Sequence, residues 1–284
     1  MAWGNEAGNG VSWYDLTMSD PFEPILQPRI VHEGNGVLVV AKPAGMHCAP
    51  GSQPGTLCSW LFDIRPQVAL VHGWRHGEGG LLHRLDAATS GLVVFAHDDE
   101  TFRFLMKSAD SGGFIKLYRA KARATANGLL GSRPVMASPG NVSETVWISA
   151  IRRSDSETTA RLLTGTSIVS SFRPYGPGAV RVACALTGQL KAGSGHGDKH
   201  WTKELYTTDF KQAVQDGDAL IVDVALTRGF RHQVRAHMAW IGLPLEGDAT
   251  YGDSDEGNAL CLRACGLSFP DPQGGPDVIL ELDA

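Results

Sequence analysis

His83-Arg84-Leu85-Asp86-Ala87-Ala88-Thr89-Ser90-Gly91-Leu92 sets one carboxylate in a polar turn between two apolar runs. Gly79 and Gly80 precede it and Leu81-Leu82 lead in, while Leu92-Val93-Val94-Phe95-Ala96 leads out as a β-branched and aromatic run of the kind that forms a buried strand. Asp86 is thereby expected in a short loop anchored by core on either side. A carboxylate held in this way is a candidate nucleophile or base whose pKa its neighbours can set. Taken alone, a single Asp at such a place is more often a turn or helix cap.

Outward from this loop the pattern is regular. Gly34-Asn35-Gly36 signals a turn, and Val37-Leu38-Val39-Val40-Ala41 a strand closed by Lys42-Pro43-Ala44-Gly45. Residues 53–65 carry Leu57, Trp60, Leu61 and Ile64 at helical spacing, and Asp98 is placed to cap a helix through Glu100, Phe102, Leu105 and Met106 that Gly112-Gly113 stops. From Phe114 to Ala124 the chain alternates: Lys116, Tyr118, Ala120 and Ala122 share one face of a strand, Leu117, Arg119, Lys121 and Arg123 the other. Ala219 to Leu226 reads as a strand, followed by a helix ending at Gly242. On that helix Val234, Met238 and Ile241 form an apolar stripe, and Arg231 and Arg235 lie one turn apart on a neighbouring face. Such a pair can bind two phosphates, or one arginine can be buried against a carboxylate.

Residues 126–200 are rich in Gly, Ser and Pro, with strand-like runs at Thr145-Val146-Trp147-Ile148 and Ala179 to Ala185 that suggest hairpins or long surface loops. No linker or repeat divides the chain. Residues 1–24 are expected to be a flexible tail and 25–284 one domain.

The 284 residues are 43% hydrophobic and 19% charged, an ordinary globular composition. No window approaches the roughly 18 apolar residues of a membrane span, and the N-terminus lacks the pattern of a signal peptide, so a cytoplasmic protein without membrane contact is expected. Cys48, Cys58, Cys184, Cys261 and Cys265 are odd in number and widely spaced, which points to reduced thiols. Of the spaced pairs His72/His76, His196/His200 and His232/His237, the first two have the four-residue step of a helical metal site but lie in no clear helix and beside no Glu, so neither a metal nor an organic cofactor is expected. A net charge of −5 argues against nucleic-acid binding by bulk electrostatics. Lys116 to Arg123 and Arg228 to Arg235 still leave room for a local basic groove.

Four separated segments resemble one family, the RNA pseudouridine synthases of the RluA-type branch, typified by bacterial enzymes acting on large-subunit ribosomal RNA. His83-Arg84-Leu85-Asp86 with Thr89-Ser90-Gly91-Leu92 resembles the family's catalytic loop, and Lys42-Pro43-Ala44-Gly45 its first characteristic turn. Lys116-Leu117-Tyr118 is similar to its tyrosine strand, and His232-Gln233-Val234-Arg235-Ala236-His237 to its arginine helix; Gly247-Asp248, Tyr251-Gly252 and Leu267-Ser268-Phe269-Pro270 also fit. The resemblance runs over about residues 30–272, in order. It departs in three places: Phe230 stands where many members have arginine, Arg263 where many have histidine, and residues 126–200 are longer than the common core. The small basic RNA-binding module that many relatives carry is not evident before residue 30.

The resemblance implies an α+β fold, a long, mostly antiparallel mixed sheet with flanking helices and a central cleft where Asp86, Tyr118 and Arg235 meet. It implies isomerisation of specific uridines in structured ribosomal or transfer RNA. Asp86 would attack the sugar C1′ or the base, or remove the C2′ proton, and these routes stay open. Arg235 would hold Asp86 charged, and Tyr118 would stack on the uracil and assist removal of the C5 proton. Arg84, Lys116, Arg231, His232 and Gln233 would bind substrate. A non-catalytic RNA-binding or RNA-folding protein on the same scaffold is the alternative, and a glycosidase-like hydrolase a weaker one, since it usually needs paired carboxylates. A monomer is the expected state.

Overall fold

The structure, a computed structural model, describes residues 21–51, 54–125, 136–186, 201–252 and 258–282. The expected flexible tail at 1–24 lies mostly outside them, as do residues 126–135 and 187–200, His196 and His200 among them. Ten strands and five α-helices occur along the described residues. β1 (Arg29–Gly34) and β2 (Val37–Lys42) form a hairpin about Asn35-Gly36, both at positive φ. α1 (Leu57–Ile64) follows, its first turn capped by the Thr56 hydroxyl, which accepts from Ser59 N. β3 (Ser90–Ala96) leads to α2 (Asp99–Asp110), where the expected Asp98 cap accepts from Thr101 N at 2.8 Å.

After β4 (Ile115–Arg123) come α3 (Glu144–Arg152), α4 (Ser156–Leu163), β5 (Ser167–Tyr175) and β6 (Arg181–Ala185). β7 (Tyr206–Asp216), β8 (Ala219–Leu226), α5 (Gln233–Trp240), β9 (Leu262–Phe269) and β10 (Val278–Glu281) complete the chain. Thr145 to Ile148 are therefore helix, where their composition suggested strand. Trp147 explains the difference: it is fully buried and its indole N–H donates to Ile241 O at 2.8 Å, so packing onto the end of α5 sets the local conformation.

The strands form one sheet in the order β1-β2-β3-β9-β4-β8-β7-β5-β6, with β10 also on β9. Every pairing is antiparallel except β3 with β9, which meet in parallel at Ser90↔Arg263 and Gly91↔Ala264. The fold is thus the expected α+β mixed sheet. β2 and β3 are buried on both faces: Leu38, Val40, Val93 and Phe95 pack with α1 in the larger core, Val37, Val39, Leu92 and Val94 with Phe102 and Leu105 of α2 in the smaller. This two-sided burial is why both strands are continuous apolar runs.

Strand ends then place the functional loops. Lys42 pairs with Gly91, so the turn leaving β2 and the loop entering β3 emerge side by side. Gly91, at φ 121°, fits there because a Cβ would meet Ala264 O at 2.2 Å. Among the described residues no helix is long and apolar enough to cross a membrane.

Candidate active site

Asp86, Tyr118 and Arg235 line one cleft of about 1230 Å³. That exceeds the roughly 300–1,000 Å³ of small-molecule pockets and suits part of a polymer. Arg75, Arg84, Lys116, Arg181, Arg228, Arg231 and Arg235 line it, against Glu78, Asp86 and Asp110. An acidic chain thus encloses a cationic cleft, the local groove that net charge alone conceals.

The Asp86 loop is a tight turn, with Thr89 N donating to Asp86 O at 3.1 Å. Its back is braced by the turn after β2. Gly45 N donates to Ala87 O at 2.7 Å, Leu85 N donates to Cys48 Sγ at 3.3 Å, and the Cys48 thiol returns to Leu85 O at 3.5 Å. Lys42, fully buried, donates from Nζ to Pro43 O and Met46 O at 2.8 Å and to Ala87 O at 3.2 Å. Burial lowers its pKa to about 8, against the opposing charges of Cys48 and Asp86. Sequence reading noticed this turn but assigned Lys42 no part in the site. A lysine closing the run Val37–Ala41 immediately before Pro43 is the signal that could have shown it.

Arg235 reaches Asp86 Oδ2 from Nη1 at 3.5 Å, but its stronger partner is Asp248. Asp248 Oδ2 accepts from Nε at 2.8 Å and Oδ1 from Nη2 at 2.7 Å, while Nη2 also donates to Thr250 Oγ1 at 2.8 Å. Burial opposes the arginine's charge; the Asp248 hydrogen bonds and the charges of Asp248 and Asp86 outweigh it and raise its pKa. Arg235 therefore meets Asp86 as an already anchored cation, with Tyr251 under its guanidinium at 5.4 Å. Gly247-Asp248 fits the family pattern in sequence, but sequence reading assigned Asp248 no role, because nothing local links positions 235 and 248.

Tyr118 stands on β4 between Val224 of β8 and Ala264 of β9. Burial first, then the charge of Asp86, pushes its hydroxyl well above the ordinary tyrosine value, so it is a phenol at neutral pH. Lys116 lies two residues earlier on the same face; burial lowers its pKa to about 8, and no carboxylate pairs with its Nζ among the described residues. Arg84 is half exposed and pairs weakly with the buried Glu78 at 3.4 Å. His83, partly buried at the cleft wall, is turned inward: Nε2 accepts from Val94 N at 3.3 Å, the ring meets Phe114 edge-on, and desolvation lowers its pKa to about 3.

The arginine helix differs from the sequence expectation. α5 begins at Gln233, so Arg231 precedes the helix and does not share a face with Arg235; exposed at the cleft, it donates to Ala179 O. The cause is His232, which takes φ 57°, ψ 17° at the N-cap and turns the chain. Nor is α5 amphipathic: all eight residues are buried. His237, with Ser170 at 2.7 Å on Nε2 and Thr208 at 2.8 Å on Nδ1, is a satisfied core residue whose pKa burial lowers to about 3. Gln233 lines the cleft, but its amide is occupied: the oxygen accepts from Phe230 N at 2.9 Å and the nitrogen donates to Thr207 O at 2.8 Å. Phe230 stacks on Phe172 of β5 at 4.9 Å and 2°, so it docks the 136–186 segment beside the cleft. Arg263, buried under the loop, donates to Ser90 Oγ at 3.4 Å and to Glu23 O. Among the described residues, no group of three or more His, Cys, Asp or Glu is placed to hold a metal ion.

Known proteins resemble this chain in sequence and in fold. Residues 36–240 match the family model for RNA pseudouridylate synthase. An uncharacterized RNA pseudouridine synthase of Chloroflexus aurantiacus is 29% identical over 213 residues, covering 74% of this chain and 50% of that protein. YlyB of Bacillus subtilis, also an uncharacterized RNA pseudouridine synthase, is 27% identical, covering 89% and 67%. Ribosomal large subunit pseudouridine synthase D of Pseudomonas aeruginosa is 27% identical, covering 80% and 54%. The chain thus spans half to two thirds of the length of these relatives. In fold it is similar to human RNA pseudouridylate synthase domain containing 4, with TM-score 0.54 and 17% identity over 89% of this chain and 87% of that one. The match over residues 36–240, which runs from the β1–β2 turn to the end of α5, shows that the chain belongs to the RNA pseudouridylate synthase family.

Proposed function

We propose that this chain isomerises uridine to pseudouridine in structured RNA, with Asp86 as the reacting carboxylate. One observation carries the reading: Asp86 sits in a cationic cleft with Arg235 at 3.5 Å on one carboxylate oxygen. The reaction breaks the N1–C1′ bond, turns the uracil and forms a C5–C1′ bond, with the C5 proton leaving and N1 taking one up. A carboxylate that traps or stabilises the separated pieces meets its central demand. Tyr118, held as a phenol, is assigned to stacking on the turned base rather than to removing the C5 proton. Lys116, Arg84 and Arg231 are assigned to the substrate side, and Gln233 to fixing the start of α5.

The target uridine has to leave its stack to enter the cleft, at a cost of roughly a few kcal/mol that phosphate contacts offset. The relatives' names make ribosomal RNA the first substrate to test, with transfer RNA second, both in the cytoplasm. Sequencing that maps pseudouridines in cells with and without the gene, and with Asp86→Ala, is the test. Specific sites are expected to vanish in both the deletion and the variant. RNA binding without a lost site would support the non-catalytic alternative, and free uracil as product the hydrolase.

A further inference from the structure

His232 takes a left-handed backbone conformation, which non-glycine residues seldom adopt and which persists where surroundings over-determine it. What surrounds this one is a chain of polar groups leading to Asp86. Val182 N, on β6, donates to Tyr251 Oη at 2.9 Å. Tyr251 Oη lies 2.9 Å from His232 Nδ1, the two rings near perpendicular at 85°. His232 Nε2 lies 3.6 Å from Asp86 Oδ2, the oxygen that Arg235 also approaches.

The hydrogen-bond arithmetic selects one arrangement. With the imidazole proton on Nδ1, that proton and Val182 N–H would both point at the tyrosine oxygen, the phenolic proton would lack an acceptor, and the Nε2 lone pair would face a carboxylate. With the proton on Nε2, the phenol donates to Nδ1, and Nε2–H faces Asp86. The phenol and Nδ1 are then both satisfied, and Nε2–H points toward the carboxylate across 3.6 Å. We infer that Tyr251 locks His232 in its Nε2–H form, making the imidazole a positioning residue that, with Arg235, holds Asp86 by Oδ2 and leaves Oδ1 as the reacting oxygen. Within the 136–186 segment, the Val182 N–H is the group that joins this chain to Asp86.

The kinetic part rests on the proposed reaction, whereas the tautomer does not, so two measurements separate them. Nitrogen-15 NMR of the full chain without RNA should show His232 neutral with its proton on Nε2, and Tyr251→Phe should yield a mixture of tautomers. In single-turnover assays, Tyr251→Phe and His232→Gly, where glycine accommodates the positive φ, should each slow the chemical step about tenfold or more, the scale of one charge-assisted hydrogen bond. RNA affinity should hold. Adding Tyr251→Phe to His232→Gly should cost nothing further in rate, because the variant keeps the ring under Arg235 and the lost hydroxyl acts on Asp86 only through the imidazole. An Nδ1–H tautomer in the unsubstituted chain, or losses that multiply in the double variant, would overturn the inference. Absence of pseudouridine from the unsubstituted enzyme would instead overturn the proposed function and leave the tautomer standing.

Discussion

Arg235 touches two carboxylates, and the structure predicts opposite consequences for removing them. Asp248 has a side chain with 0% exposure and accepts from Arg235 Nε and Nη2, Thr250 N and Tyr251 N at 2.7–3.2 Å. Asp248→Ala leaves a buried guanidinium and two backbone N–H groups without their acceptor, a loss on the order of 3–5 kcal/mol. Asp86 is 25% exposed and held only at 3.5 and 3.6 Å, so Asp86→Ala should cost less than about 1 kcal/mol, the range of a solvent-screened pair. With an m-value of about 3 kcal/mol/M in urea, the midpoint falls by about 1 M or more for Asp248→Ala and by about 0.3 M or less for Asp86→Ala. Activity inverts the order: Asp86→Ala abolishes pseudouridine formation by folded protein, whereas Asp248→Ala, assayed where it is folded, keeps the reacting group and loses only its aim. Urea unfolding followed by circular dichroism, with product measured on the same samples, provides the check. Equal midpoint shifts for the two variants would refute the assignment of Arg235 to Asp248 as its structural partner.

Lys116 predicts a pH effect on stability. Its folded pKa of about 8 lies below the unfolded 10.5, so between those values the unfolded chain binds more protons; stability contributed by this group is lowest below pH 8 and rises up to pH 10.5. The rise is up to about 3 kcal/mol, and Lys116→Met should remove it from urea midpoints measured from pH 7 to 10, leaving that of Lys42; an unchanged slope would count against a partly buried ammonium with no carboxylate partner among the described residues. Lys42→Met should slow product formation although Lys42 lies behind the Asp86 loop, because the Met46 carbonyl loses its lysine donor and the Ala87 carbonyl keeps only Gly45 N; full activity in the folded variant would rule out this brace. Gly91→Ala should destabilise by about 2 kcal/mol or more, since its Cβ would enter the Ala264 carbonyl and φ 121° is strained for alanine; a midpoint shift equal to that of Gly112→Ala, where nothing lies within 4 Å, would contradict the close approach.

What could be read from the sequence, and what could not, divides by range of interaction. The Asp86 loop, the Asp98 cap and the alternation that puts Lys116 and Tyr118 on one face are consequences of neighbours within a few residues, and the structure keeps them. Three features depended on partners far along the chain. Trp147 is helical because Ile241 O takes its indole proton, 94 residues away. Arg231 leaves the arginine helix because His232 adopts a positive φ, and only Tyr251 and Asp86, 19 and 146 residues distant, show why that conformation is held. Arg235 is claimed first by Asp248, which a reading centred on the catalytic loop had no means to rank above Asp86. The same division explains the charge. A net −5 is a property of the whole surface, whereas seven cations facing three anions across one cleft is a property of the sheet order that gathers the ends of β3, β4 and β8. Chemistry-bearing residue types were therefore legible locally. The order of their partnerships, which decides what Asp86 can do and with which oxygen, is set by tertiary contacts.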